Sequence, residues 1–342
     1  ELGQIEEVTS INYQYMNYES YLQYNPDLII FQSEASVNDW IRPWLGLNRE
    51  KMGGLAYWGA IEYWGESDGW PKKGWNYSFF DHTLAPYPTA YLVRSVFKAD
   101  EPLVHIGVLE AEQKSSWWND ILSGRAEMSE FYWKPAKGDT ITLQVFSNCD
   151  EVELFMNGRS LGVKQNVRAD ESTRKGVAKE DKYTNNFLWK NLSYEPGKVV
   201  ATGFKNGKRI LTETIETTRP ASKLVLKTDR RSIAADGRDV AVVTVEVQDQ
   251  KGHIVPDACP RLTFRLAGEG RILGVGNGDP SFLGADHPED KDCRAFSIPA
   301  FNGLARVIVQ STKSTGSLQL TATSDGLKED TLTIVASMTA LE

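Results

Sequence analysis

The sequence predicts a multidomain, mainly β chain that opens on βα units of a parallel, helix-wrapped sheet and continues as two β-sandwiches. Two observations carry the first part. A short apolar run, Leu28-Ile29-Ile30-Phe31, follows Asn25-Pro26 and ends in Gln32-Ser33-Glu34; a second strand-like run, Gly53 to Trp58, follows it after a polar helix candidate at Asn48 to Met52. The third observation is a change of character after Asp100-Glu101-Pro102, from aromatic loops to period-two strands divided by Asn-Gly turns.

A run of four Leu, Ile and Phe residues is too short for a helix and reads as a strand buried on both faces. In (β/α) barrels such strands deliver their last residue to a rim where a rigidly held side chain reaches substrate, which makes Glu34 a candidate catalytic group. The competing reading has Ser33 and Glu34 capping a following helix and favouring its dipole. The second strand begins with Gly53-Gly54, which permit close backbone approach, and ends in aromatics. From there to Tyr77 the rings of Trp58, Tyr63, Trp64, Trp70, Trp75 and Tyr77 alternate with Gly, Asp, Lys and Pro. Sugars present flat C–H faces edged by hydroxyls, so a site for them needs aromatic plates beside carboxylates and amides. Packing in a core is the alternative use of such rings, and about half of them are expected there. Pro88 to Phe97 closes the second unit as a helix: Pro88 suits its first turn, and Tyr91, Leu92, Ser95 and Val96 share a face expected to pack on the strand that carries Trp58.

These pieces resemble the end of the catalytic domain of glycoside hydrolase family 2, which holds β-galactosidases, β-glucuronidases and β-mannosidases. The matching segments are Ile11-Asn12-Tyr13 before Tyr21 and Pro26, Ile29 to Glu34, Tyr57-Trp58 with Glu62-Tyr63-Trp64-Gly65-Glu66, and Phe80-Asp81 before Pro88 and Tyr91. The resemblance implies that residues 1–100 are the last part of a (β/α)8 barrel, its strands seven and eight, with Tyr13 ending strand six. It implies Glu34 as the nucleophile of a retaining glycosidase, Tyr13 as the group that orients it, and Asn12 and Trp58 as substrate-binding residues, Trp58 forming a wall of the sugar subsite. The family's acid/base stands on an Asn-Glu pair, and no Asn-Glu dipeptide occurs in this chain, so the acid/base is expected from a missing amino-terminal part of the same enzyme. About two βα units cannot close a barrel of ~250 residues, and this chain alone is expected to hydrolyse nothing. A rival pairing of Glu34 with Glu62 is weaker, because Glu62 lies four residues beyond Trp58 and reads as structural.

The expected activity is that of an exo-β-galactosidase acting on a β-linked oligo- or polysaccharide. A β-glucuronidase is expected to carry Asn-x-Lys for the sugar carboxylate; here Pro71-Lys72-Lys73-Gly74 has proline in that place, although a lysine still attracts a carboxylate as a point charge. β-Mannosidase, and a non-catalytic binding or adhesin-like sandwich protein, are the other readings. An upstream strand ending in Asn-Glu would decide for the enzyme and upstream sandwich repeats for the binding protein.

The strands of residues 101–218 are read from Thr140 to Phe146, Glu151 to Met156, Leu161 to Val163, Leu188 to Leu192, Gly197 to Phe204 and Arg209 to Ile215, with hairpin turns at Asn157-Gly158 and Asn206-Gly207. Their spacing suggests an immunoglobulin-like sandwich, and Val152 to Gly158 resembles the segment that marks such accessory domains in family 2. The polar Thr217 to Ser222 segment is the next boundary. Residues 219–342 repeat the pattern in a second, bacterial immunoglobulin-like sandwich, with strands at Leu224–Thr228, Ala241–Asp249, Arg261–Leu266, Leu304–Gln310 and Ser317–Ser324, and with Gly268 to Asp292 as a long loop. Trp117, Trp118 and Trp133 would either seal the sandwich against the barrel or bind polysaccharide directly.

A formal charge of −8 argues against nucleic acid as a partner, since phosphate binding needs clustered Lys and Arg. No apolar run approaches the ~20 residues of a membrane span. Three cysteines and four histidines show no metal-ligand spacing, and no metal or cofactor is expected. Cys149 reads as a lone buried thiol, while Cys259 and Cys293 fall in one expected domain and would pair in an oxidising compartment. The resemblance implies a bacterial protein of the periplasm or exterior, whose signal region is not in this chain; homo-oligomerisation stays open.

Overall fold

The computed structural model describes residues 7–14, 17–35, 49–66, 78–109, 137–167 and 184–338. The expected rings Trp70, Trp75, Tyr77, Trp117, Trp118 and Trp133 and the lysines Lys72 and Lys73 lie outside the described residues.

Three parallel strands open the chain: β1 (Val8–Ser10), β2 (Ile29–Ala35) and β3 (Met52–Tyr57), in the order β1-β2-β3, with Val8 opposite Ile29 and Ile30 opposite Met52. The residues alone predict two strand units; Val8-Thr9-Ser10 is too short and polar to announce a third, and it takes its extended form by pairing with β2. Helix α1 (Tyr18–Tyr24) connects β1 to β2. Its Tyr18 is fully buried with Leu28 and Ile30 and donates from Oη to the Ile11 carbonyl at 2.8 Å. The expected two-sided burial of β2 is only half met, since Ile30 is buried while Ile29 and Phe31 are half-buried. The helix expected at Asn48 to Met52 is a single 3-10 turn, Arg49–Lys51, because Met52 is already committed to β3.

Helix α2 (Pro88–Phe97) has the expected bounds. Tyr87 caps it in an extended conformation, and Pro88 at its first turn needs no amide partner. Its buried face, Pro88, Thr89, Leu92, Ser95 and Val96, packs with Leu55 and Tyr57 of β3 as expected, and on the other side with Phe146 and Leu188. α2 thus joins the parallel sheet to the next part of the chain.

That part holds two sheets over one core. β4 (Val104–Leu109), β5 (Thr140–Ser147) and β8 (Asn186–Ser193) run antiparallel in the order β4-β5-β8. β6 (Glu151–Met156), β7 (Arg159–Gln165), β9 (Lys198–Lys205) and β10 (Lys208–Glu216) form the other, in the order β10-β9-β6-β7. β6 alternates buried with half-buried residues, the pattern of a sheet with one covered face. β5 departs from period two, with every residue from Leu143 to Ser147 buried, because the side turned from the core is covered by α2. The turns Asn157-Gly158 (φ 50° and 81°) and Asn206-Gly207 (φ 51° and 69°) both hold two left-handed residues, the geometry that matches the strand twist of a two-residue hairpin.

β10 ends at Glu216 and β11 (Lys223–Thr228) begins the last part. β13 (Val240–Gln248), β15 (Gly270–Gly276) and β17 (Leu304–Ser311) join β11 in the order β11-β13-β17-β15. β12 (Ser232–Ala234), β14 (Arg261–Ala267), β16 (Ala295–Pro299), β18 (Gly316–Thr323) and β19 (Asp330–Ser337) make the facing sheet, in the order β12-β19-β18-β14-β16. Their inner faces share a core that includes Val243, Phe264, Val307, Leu320 and Ile334. The long loop expected from Gly268 to Asp292 is in fact a strand followed by a shorter loop. Gly270 lies against the Leu318 side chain and the Gln310 carbonyl, where a Cβ would stand 2.1 and 2.9 Å away, so a glycine here marks close packing rather than a turn. Cys259 and Cys293 do not pair: Cys259 is exposed and free, and Cys293 is buried with its thiol on the Ala295 carbonyl at 3.1 Å.

Asp249 fastens the segment between the last two parts. Its carboxylate is fully buried, accepts the backbone N–H groups of Arg219 and His253 at 3.0 Å each, and lies 3.4 Å from the His253 ring. Burial pushes its pKa up, but the two amides and the imidazole outweigh that and hold it at about 2 against an ordinary 3.8. The folded chain therefore keeps Asp249 deprotonated where the unfolded chain has begun to protonate it. Its contribution is complete above pH 3.8 and is lost as the pH falls through about 2. Denaturant midpoints measured between pH 2 and 5 are expected to fall with acid in the wild type and to fall less steeply in Asp249→Asn; equal slopes would remove Asp249 from the acid response.

Candidate functional site

The carboxyl ends of β1, β2 and β3 lie side by side because the strands are parallel and in register, and the residues singled out by sequence follow from there. Tyr13, three residues past β1, takes a left-handed backbone (φ 57°), unusual for a side chain of its size. This turn sends its ring toward β2, where Oη donates to Glu34 Oε2 at 3.0 Å. Asn12 works on the same strand from below. Its Oδ1 accepts the Glu34 backbone N–H at 3.1 Å, and its amide and Ser33 Oγ lie 3.1 Å apart. Ser10 Oγ completes the cluster, 3.2 Å from Asn12 Oδ1 and 3.1 Å from Ser33 Oγ. Glu34 is half-buried and held at both its backbone and its carboxylate.

Trp58 follows directly on β3. Its backbone N–H donates to the carbonyl of Ala35, the residue after Glu34, at 3.0 Å, which fixes the indole-bearing residue beside the end of β2. The ring is 37% exposed and meets Tyr63 edge-on, with centroids 6.3 Å apart at 85°. Tyr63 Oη donates to Glu66. Burial first, and then the neighbouring Glu66 carboxylate, push the Tyr63 phenol up to about 12, so it stays protonated through the neutral range.

Glu62 is buried away from this cluster's hydrogen bonds. It accepts from Tyr87 Oη at 3.1 Å and lies 3.6 Å from His82 Nδ1, and the Trp64 and His82 rings meet at 6.1 Å. Glu62 thus ties the Trp58–Glu66 loop to the start of α2. The structure brings Asn12, Tyr13, Glu34 and Trp58 together and keeps Glu62 on other partners. Ser10, His82 and the Tyr63–Glu66 pair were not foreseen. Ser10 lies one strand away from its partner Ser33, and only the β1–β2 register makes them neighbours.

A carboxylate that receives a phenolic hydrogen bond at the end of a parallel strand, with a tryptophan leaving the adjacent strand end, is suited to attack a sugar carbon or to stabilise charge there. Residues 224–333 match the model of the glycoside hydrolase family 2 C-terminal domain 5, and residues 138–211 match a domain of unknown function. Over 269 residues the chain is 31% identical to the β-galactosidase BoGH2A of Bacteroides ovatus, an alignment that covers 78% of this chain and 26% of that protein. These matches identify residues 224–333 as a family 2 carboxyl-terminal domain and the chain as similar to the carboxyl-terminal part of family 2 enzymes. A β-glucuronidase of Formosa agariphila is 31% identical over 205 residues, covering 59% of this chain and 19% of the relative. A solved family 2 member from Bacteroides cellulosilyticus superposes with a TM-score of 0.79 at 26% identity, over 97% of this chain and 42% of the other. The chain therefore spans about a quarter or less of these two curated relatives.

Proposed function

We propose that the chain is the carboxyl-terminal part of a retaining exo-β-glycosidase, a β-galactosidase, with Glu34 as the nucleophile of a double displacement. The observation that carries this is the Tyr13 hydrogen bond to Glu34 Oε2 at 3.0 Å, made across two parallel strand ends, with Asn12 holding the Glu34 backbone. In this reading Tyr13 orients one carboxylate oxygen and leaves the other for the anomeric carbon. Asn12 and Trp58 bind the sugar, Trp58 as an apolar wall. Retention requires a second carboxyl group ~5–5.5 Å from the first, to protonate the leaving oxygen and then activate water. That acid/base comes from a part of the enzyme outside this chain. Residues 1–100 are in this reading a barrel end, and residues 101–218 and 219–342 immunoglobulin-like sandwiches. The matched β-galactosidases of Bacteroides ovatus and Thermoanaerobacter pseudethanolicus support the galactoside specificity. The β-glucuronidase of Formosa agariphila supports a glucuronide reading of the same site.

The purified chain is expected to release no 4-nitrophenol from the β-galactoside or the β-glucuronide. Turnover by the chain that Glu34→Gln abolishes would show that both carboxyl groups lie within it. With the acid/base restored in the full-length reading frame, the galactoside is expected to be the faster substrate, and a faster glucuronide would reassign the specificity while leaving Glu34 in place.

A further inference from the structure

The described residues enclose a cavity of about 340 Å³ where the segment leading into α2 meets the last two-sheet part of the chain. Its volume falls in the range of small-ligand sites, ~300–1,000 Å³. The walls are apolar or aromatic, from Tyr87 and Tyr91 on one side and Ile254, Pro256 and Phe301 on the other. Three carboxylate or amide side chains, each more than nine-tenths buried, also line it: Asp81, Asn302 and Asn277, the last already donating to the Pro299 carbonyl and accepting from the Asp279 N–H, each at 3.0 Å. Asp81 is 8% exposed; its Oδ1 already accepts Thr83 N and Oγ1 at 2.7 Å and Ala85 N at 2.9 Å. Its Oδ2 is turned toward Gly278, another wall of the cavity, and has no hydrogen-bond partner among the described residues. Asn302 is 7% exposed, and its side-chain amide likewise has no partner among them.

The Asp81 and Asn302 side chains line the same space. One is a pure acceptor and the other offers both a donor and an acceptor, so the complementary ligand both donates and accepts. The lining includes no Lys, Arg or His, which leaves an anion without a partner. A bare cation would suit Asp81 but would meet the Asn302 amide hydrogens and apolar walls. Hydroxyl groups on an apolar ring satisfy every wall at once: one donates to Asp81 Oδ2, one accepts from Asn302, and the C–H face lies on Phe301 or a tyrosine ring.

We infer that this cavity is a second, non-catalytic pocket for a neutral saccharide unit, held by Asp81 and Asn302 between the α2 segment and the last two-sheet part. It stands independently of Glu34. Gly278 belongs to it: at φ 79°, a Cβ there would sit 2.2 Å from Asp81 Oδ2 and close the approach to that oxygen.

The test follows the methyl resonances of Ile254 and Leu304 in the 13C-labelled chain during titration with β-1,4-galactobiose. Both are expected to shift saturably, and equally so in Glu34→Gln, which separates this pocket from the catalytic site. Asn302→Gly removes the amide while keeping a residue that accepts the φ of 51°, and is expected to weaken binding at least tenfold. Ile254→Trp, at a wall residue 37% exposed and so tolerant of bulk, fills the pocket and is expected to abolish the shifts. The inference is overturned if galactobiose gives no saturable shift, if Asn302→Gly binds as tightly as the wild type, or if tetramethylammonium chloride moves these resonances where the sugar does not.

Discussion

Glu34→Gln is expected to lower kcat/KM for an aryl β-galactoside by about four orders of magnitude or more in the full-length enzyme, since a carboxamide cannot form the glycosyl ester on which double displacement depends. The side chain keeps its size, and its oxygen still accepts from Tyr13 Oη, so the 3.0 Å contact and the Asn12 bond to the backbone persist. The loss should therefore appear in kcat with the thermal midpoint almost unchanged. In Glu34→Gly, added azide should partly restore turnover with inverted stereochemistry, because a small anion can enter the space that the carboxylate leaves. A variant retaining even a hundredth of the wild-type rate would assign the nucleophile elsewhere.

Phe146→Ala is expected to give the largest loss of stability, about 3–5 kcal/mol. Phe146 is fully buried on β5, on the face turned from the core of its own two sheets, and packs with Phe79, Leu92, Val96 and Leu188. Truncation leaves a cavity where α2, the segment before it and the sheet meet, and none of these can collapse inward without dragging the others. The readout is the urea midpoint of the transition that exposes this contact. A change below about 1 kcal/mol would mean that α2 and β5 are not coupled as described. Because α2 also packs on β3 through Leu55 and Tyr57, the same variant should loosen Trp58, seen as a shift in tryptophan emission.

Much of the strand content was legible because it rests on local rules. Period-two runs bounded by Asn157-Gly158 and Asn206-Gly207 need no distant partner to be recognised, and α2 is announced by Pro88 and a helical stripe of apolar residues. β15 was not legible, since its glycines read as loop until Leu318 and Gln310 are seen pressed against Gly270. β1, β12 and β16 are short or polar, and they become strands by pairing with longer neighbours. β19 carries an alternation, Leu332-Thr333-Ile334, that the expected strands omitted.

In the site, the residue types and the strand that ends in Glu34 could be read directly, and the resemblance to family 2 supplied the roles. Their meeting could not be read. Tyr13 and Glu34 are twenty-one positions apart, and their contact depends on the parallel β1–β2 register and on a left-handed backbone at Tyr13 that no side-chain pattern announces. The Asp81 and Asn302 pocket is further still from the sequence, because those two residues stand more than two hundred positions apart. By itself the sequence determined which stretches extend, where they turn and which carboxylate stands at a strand end, since backbone preference and hydrophobic periodicity act over a few residues. Only the tertiary structure decided which side chains share a hydrogen bond or a cavity, because those distances are set by register and packing between segments that the chain keeps apart.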